Sequence, residues 1–225
     1  MKHTYITLIL AIMMLTGMTA CSLDETLSAD SEDYGTLNLA LVSESIDAFP
    51  AESLSDDEIT GLVLMREEEK LARDVYFHLY ESWEMNIFSN IASSEATHMS
   101  ALLLLLDRYD LEDPVGEDVV GSFENETLAG LYTSLCSQGD ESLVAAFAVG
   151  ATIEDLDIKD LMELSEAVNN EDILFTYGSL TKGSRNHIRS FASLMDRYDE
   201  SYSAQFIEQS LLDSILATPK EIGNW

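Results

Sequence analysis

The sequence predicts an all-α protein, a four-helix bundle of two hairpins joined by a long crossover that contains a short helix. Three observations lead there. Proline is scarce, 3 in 225 residues, while Met, Leu, Ala and Glu recur throughout, a balance that favours helix over sheet. Four long stretches carry apolar residues at the i, i+3, i+4 spacing of one helical face. The breaks between these stretches are short at 83–86, long at 110–140, and short again at Asn169-Asn170.

The chain opens on an address. Lys2, an apolar run from Ile6 to Leu15, and the small residues before Cys21 make residues 1–20 a secretory signal. The run is too short to read as a membrane span. Thr19-Ala20-Cys21 resembles a bacterial lipobox, with Met18 where Leu is usual. It predicts a lipidated Cys21 and a protein held on a membrane outside the cytoplasm. Ordinary cleavage nearby and an uncleaved anchor are the alternatives, and both also export the domain. Residues 21–54 are acidic, Ser-rich and without sustained periodicity, which reads as a flexible tether. Leu37 to Val42 is the stretch there that could dock.

Ser55-Asp56-Asp57-Glu58 is a capping box that starts the bundle, residues 55–200. The first helix runs to about Glu81 on Leu64, Met65, Leu71, Ala72, Val75, Tyr76 and Leu79. The second, from about Ile87 to Tyr109, carries Phe88, Ile91, Ala92, Glu95, His98, Met99, Leu102, Leu105 and Leu106 on one face. Pro114, Gly116 and Gly121 open the crossover, and a short helix follows near Thr127–Cys136. The third helix, about Glu141 to Val168, aligns Phe147, Gly150, Glu154, Asp157, Leu161 and Leu164. Asn169-Asn170 should turn the chain and cap the fourth, whose stripe includes Ile173, Tyr177, Leu180, Ser184, His187, Phe191 and Leu194. Residues 201–225 form a tail with a short helix within 204–216. A single long connection between the second and third helices is the ferritin-like arrangement of a bundle.

The second and fourth helices echo each other. Asp107-Arg108-Tyr109-Asp110 recurs as Asp196-Arg197-Tyr198-Asp199, and His98 and His187 lie the same distance upstream. A duplicated hairpin follows, with Glu95 corresponding to Ser184 and Glu68 to Asp157.

The stripes turn polar at their middles. Glu95 and His98, Glu154 and Asp157, and His187 sit there, and the first helix offers Glu67, Glu68 and Glu69. A helical wheel puts Glu68 at the centre of the apolar face and Glu69 on its edge, so Glu68 is the first choice and Glu69 the alternate. Buried carboxylates cost several kcal/mol each, on the order of magnitude usual for an unpaired ion, unless compensated. Divalent metal compensates well, and Glu95-x-x-His98 sets two ligands one turn apart on one face. The competing reading is a metal-free salt-bridge network drawing on Lys70, Arg73, Arg108, Arg185 and Arg189.

Three stretches and one short block, Arg66–Tyr76, Ile87–Met99, Gly150–Ile158 and Gly183–His187, resemble a prokaryotic ferritin-like family, domain of unknown function 2202. The resemblance spans about 55–199. It implies a ferritin-like bundle and supplies no activity. The wider superfamily's di-iron pattern would make Glu68 the first Glu, Glu95 and His98 the first pair, Glu154 the second Glu and His187 the last His. Ser184 stands where the last Glu belongs, and Asp157 is the candidate to replace it.

The leading functional expectation is a site for two irons, or for manganese, that reacts with O₂ or peroxide as a ferroxidase, peroxide scavenger or small oxidase. Tyr76 and Tyr177 are candidates to lie close by. A non-catalytic metal-binding or interaction module, and a metal-free bundle, are the alternatives. With 42 acidic against 11 basic residues, net −31, the surface repels nucleic acid and attracts cations. A monomer or homodimer suits a tethered protein better than a storage cage. Cys136, in an apolar pattern, reads as buried filler. The sequence shows no Gly-rich phosphate loop and no Cys-x-x-Cys.

Overall fold

The computed structural model describes residues 35–223, so the signal segment, Cys21 and most of the expected tether lie outside the described residues. The described residues form helices α1 (Leu39–Ala48), α2 (Asp56–Trp83), α3 (Asn86–Arg108), α4 (Glu126–Gly139), α5 (Leu143–Ala167), α6 (Glu171–Asp196) and α7 (Gln209–Leu216), with no strand among them. The protein is an all-α helical bundle. Hairpins α2–α3 and α5–α6 are its halves, and they meet through α2 against α5 and α3 against α6. The crossover carries α4, which packs on α2 and α5. No described helix is long and apolar enough to cross a membrane.

Local chemistry sets the helix ends. Ser55 Oγ accepts from Glu58 N at 3.2 Å while Ser55 N donates to Glu58 Oε2 at 2.8 Å, the expected capping box. The other oxygen of Glu58 reaches across the bundle end, accepting from Asn169 N at 2.9 Å, Asn170 N at 3.1 Å and Asn170 Nδ2 at 3.0 Å. Asn170 does occupy the N-cap position of α6, but its side chain makes no cap bond: its Nδ2 donates to Glu58 and its Oδ1 accepts from the Tyr109 hydroxyl at 3.4 Å.

The two copies of Asp-Arg-Tyr-Asp fold alike. Asp110 and Asp199 both turn left-handed, with φ of 56° and 58°. Leu111 N then donates to Leu106 O, and Glu200 N to Met195 O, at 2.9 and 3.2 Å. This closes the last carbonyls of α3 and α6 in the same way.

Residues 35–54 depart from the expected tether. Asn38 caps α1, and Leu37, Val42 and Ile46 are buried against α3 and α6. Ten residues are too few to hold a helix alone, so its stability comes from that packing. Its apolar residues run together at Leu39–Val42 and then skip to Ile46, which gives too little periodicity to reveal it. In the tail, α7 (Gln209–Leu216) falls within the expected range 204–216 and fills its second half. The preceding turn is held by Asp155, which accepts from the backbone N–H groups of Gln205, Phe206 and Ile207.

Candidate metal centre

Glu95 is the pivot of the bundle's polar middle. Its Oε2 lies 2.7 Å from His98 Nδ1 and its Oε1 lies 2.9 Å from His187 Nδ1. Glu69 Oε2 from α2 approaches His98 Nδ1 at 3.1 Å, and Glu154 Oε2 from α5 approaches His187 Nδ1 at 3.1 Å. The result is two triads that share Glu95: Glu69–Glu95–His98 and Glu95–Glu154–His187. Within each triad the candidate ligand atoms lie within 4.8 Å of one another, and all five side chains are buried. The imidazole rings stack 5.6 Å apart. Asp157, one turn beyond Glu154 and 2% exposed, belongs to neither triad but is near enough to feel the charges of Glu69 and Glu154.

The donor set fits a pair of divalent cations. Glu69 Oε1, Glu95 Oε1 and Asp157 Oδ2 are buried yet make no hydrogen bond, a costly state for carboxylate oxygens unless a cation meets them. The 2.9 Å approach of Glu95 Oε1 to His187 is a charge contact that lacks hydrogen-bond geometry. Both outer ring nitrogens are tied back: His98 Nε2 to Gly35 O at 3.1 Å, His187 Nε2 to Ser94 Oγ at 3.2 Å. Each Nδ1 is thereby aimed at the carboxylates, as metal-ligating imidazoles are held. Four carboxylates balance two divalent charges with the imidazoles neutral.

Without metal, protons supply that balance. Burial pushes Glu69 up to about 8 despite the pull of His98. Burial, then the charges of Glu69 and Glu154, push Asp157 well above the carboxylate range. Burial takes Glu154 to about 6 against the pull of His187. Burial would raise Glu95 too, but the charges of His187 and His98 hold it below the usual range. Burial opposes the charge on His187, yet Glu95 and Glu154 raise it to about 10. His98 is raised in the same way by Glu95 and Glu69.

The competing salt-bridge network forms elsewhere. Lys70 pairs with Asp74, Arg73 with Asp74 and Asp118, Arg108 with Asp172, and Arg185 and Arg189 with Glu221. Arg66 joins Asp113 at 2.9 Å. Arg66 and Arg73 fasten the crossover, Arg185 and Arg189 the tail, and Arg108 joins α3 to α6, which leaves the acids of the middle to the histidines.

Sequence reasoning placed Glu95, His98, Glu154, Asp157 and His187 in this group, and the structure brings them together. It places Glu68 differently. Glu68 belongs to neither triad; burial, then the charges of Asp160 and Glu69, push its carboxyl up to about 9, and its Oε2 is buried without a hydrogen-bond partner. Glu69 takes the place expected of it. The wheel fails here because α4 and the crossover cover the outer face of α2, so every residue from Met65 to Tyr76 is buried and the apolar stripe no longer points to the bundle axis. Glu67 accepts from Glu124 N and Asn125 N at 2.6 and 3.2 Å, anchoring the start of α4. Ser184 donates back to Leu180 O at 3.2 Å.

Tyr76 hydrogen-bonds Glu154 Oε1, as a residue close to the site would. Tyr177 does not reach the triads; its hydroxyl lies against Gly61. Ser94, Gly35 and Gly183 were missed. A Cβ on Gly183 would fall 2.5 Å from His98 Cε1, so the ring needs that glycine. Ser94, four residues before His98, was the one findable by helical spacing. Cys136 is buried, and burial raises its thiol to about 11, which fits an inert filler.

Comparison with known proteins agrees on one family. The profile of an uncharacterized protein domain, DUF2202, matches residues 58–219. An uncharacterized protein of Methanocaldococcus jannaschii, MJ0754, is 47% identical over 180 residues, covering 80% of this chain and 97% of that protein. The crystal structure of hypothetical protein MJ0754 superimposes with a TM-score of 0.76, covering 77% of this chain and 99% of that one. Sharing both the sequence pattern and the bundle, the chain belongs to the DUF2202 family.

Proposed function

We propose that this protein is an exported, ferritin-like bundle that holds two iron ions between Glu69, Glu95, His98, Glu154, Asp157 and His187 and reduces O₂ or peroxide, as a ferroxidase or peroxidase-like oxidoreductase. The observation that carries the reading is Glu95, whose two oxygens each face a different histidine, flanked by buried carboxylate oxygens with no hydrogen-bond partner. Two ferrous ions, when bound, supply two electrons to one oxygen molecule or peroxide. The chain's own contribution is positional. Gly35 O and Ser94 Oγ hold the imidazoles, and Tyr76 holds Glu154. Phe88, Phe147 and Phe191, packed in ring contact, keep water from that end. Manganese suits the same donors.

The net charge of −31 favours cation capture near the surface. Export with lipid attachment at Cys21, as a monomer or homodimer, belongs to the same proposal, and the mass of the processed N-terminus tests it. A non-catalytic metal-holding module is the second reading. Ser184 favours it, because α6 then offers a histidine with no carboxylate one turn before it.

The test is metal content after production with iron, for the wild type and for His98→Ala with His187→Ala. The proposal expects about two irons per chain, lost in the double variant, with oxygen or peroxide consumed by the ferrous form. A folded protein without metal sinks it. Two metals without turnover leave the second reading.

A further inference from the structure

We propose that the N-terminal arm, residues 35–48, is a working part of the metal centre: the Gly35 carbonyl fixes the tautomer of His98, and docking of the arm is linked to metal occupancy. This inference rests on the metal-centre reading above.

A backbone carbonyl can only accept a hydrogen bond. The 3.1 Å contact from His98 Nε2 to Gly35 O therefore keeps a proton on Nε2, so that Nδ1, which faces Glu69 and Glu95, is the nitrogen that gives up its proton to a cation. The contact is built rather than incidental. Gly35 has φ +73°, which side-chain-bearing residues rarely adopt. A Cβ there would lie 2.6 Å from Gly183 Cα and 3.1 Å from His187 Nε2. Gly183 in turn leaves room for the His98 ring. Two glycines, one on the arm and one on α6, thus form a slot that admits the arm's backbone beside both imidazoles.

The rest of the arm is seated on the helices that carry those imidazoles. Leu37 N donates to Thr97 Oγ1 at 3.0 Å, on the residue before His98. Val42 and Ile46 are 0% and 3% exposed, and α1 packs on α3 and α6. Arg108 Nη2 holds Phe49 O at 2.7 Å just past the end of α1. The arm precedes the family-matched region, which begins at residue 58. A role at the site is therefore an addition to what the family match covers.

Linkage makes the inference testable from both ends. If metal favours the docked arm by some factor, docking favours metal by the same factor. An arm that merely covers apolar surface would add stability without any response to metal.

The experiment uses the full chain and Mn²⁺ as the probe. Amide hydrogen exchange of residues 36–48 is followed with and without Mn²⁺, and Mn²⁺ affinity is measured for wild type, Gly35→Ala, and Val42→Asp with Ile46→Asp. The expected result is exchange slowed about tenfold or more by Mn²⁺, a coupling of ordinary size, with affinity weakened comparably in both variants. The wild-type exchange reading needs no variant to fold. Arm exchange that ignores Mn²⁺ in a wild type binding two ions overturns this inference and leaves the metal centre standing, as do variants that bind Mn²⁺ like the wild type. A wild type that binds no metal overturns the metal-centre reading and this inference with it.

Discussion

One side chain, Glu95, makes the two halves of the site a single unit. Because its two oxygens face His98 and His187 separately, Glu95→Gln should abolish binding at both positions. Glu69 touches only the His98 half, so Glu69→Gln should lower the content from two metals toward one. Glu68→Gln should leave two bound, since that residue belongs to neither triad. Metal analysis of the three variants checks the ordering, and a Glu68 variant that loses metal would return the site to the arrangement the wheel suggested. At this scale the sequence was readable where one face of a helix stays apolar around a polar pair, as at Glu95-x-x-His98. It misled where a helix is buried on all sides, as α2 is through Glu67, Glu68 and Glu69. Gly35 and Gly183 were beyond it, because a glycine's role is the close approach of something distant in sequence.

At the scale of elements, Glu58 ties three of them: the start of α2, the end of α5 and the start of α6. Those bonds hold its carboxyl down to about 2, against burial, from an ordinary 4.5. A group depressed on folding adds stability above its unfolded pKa and loses it as pH falls through the folded one. Glu58→Gln should therefore cost about 2 kcal/mol at neutral pH, the scale of a charged hydrogen bond. The gap to wild type should shrink from about pH 4.5 downward and nearly close near pH 2. Denaturant titrations of both proteins across that range check it, and a gap independent of pH would contradict it. The capping box behind this behaviour was visible in four consecutive residues. So was the Asp-Arg-Tyr-Asp echo, which the structure turns into two matching left-handed helix ends. Helix α1 was not visible, because its helicity is owed to the surface it lands on.

For the whole molecule, the architecture separates two kinds of charge. Basic side chains fasten the crossover through Lys70 and Arg73, join α3 to α6 through Arg108, and hold the tail through Arg185 and Arg189. The acids of the middle are left with two histidines, an arrangement that needs either protons or cations to be neutral. The helix order and the long connection were readable from periodicity and breaks. Which charges pair with which was not, since it depends on how the crossover folds back over α2. The chain carries a net −31, so uptake of divalent metal should slow as ionic strength rises. Stopped-flow loading at low and high salt checks this, and a rate indifferent to salt would contradict steering by the surface.

The most direct measurement is anomalous diffraction at the metal edge from crystals of the iron-loaded protein. The account predicts two peaks about 3.5–4 Å apart, the spacing of paired-metal sites, one beside each histidine with Glu95 between them. A single peak, or peaks confined to surface carboxylates, would contradict it.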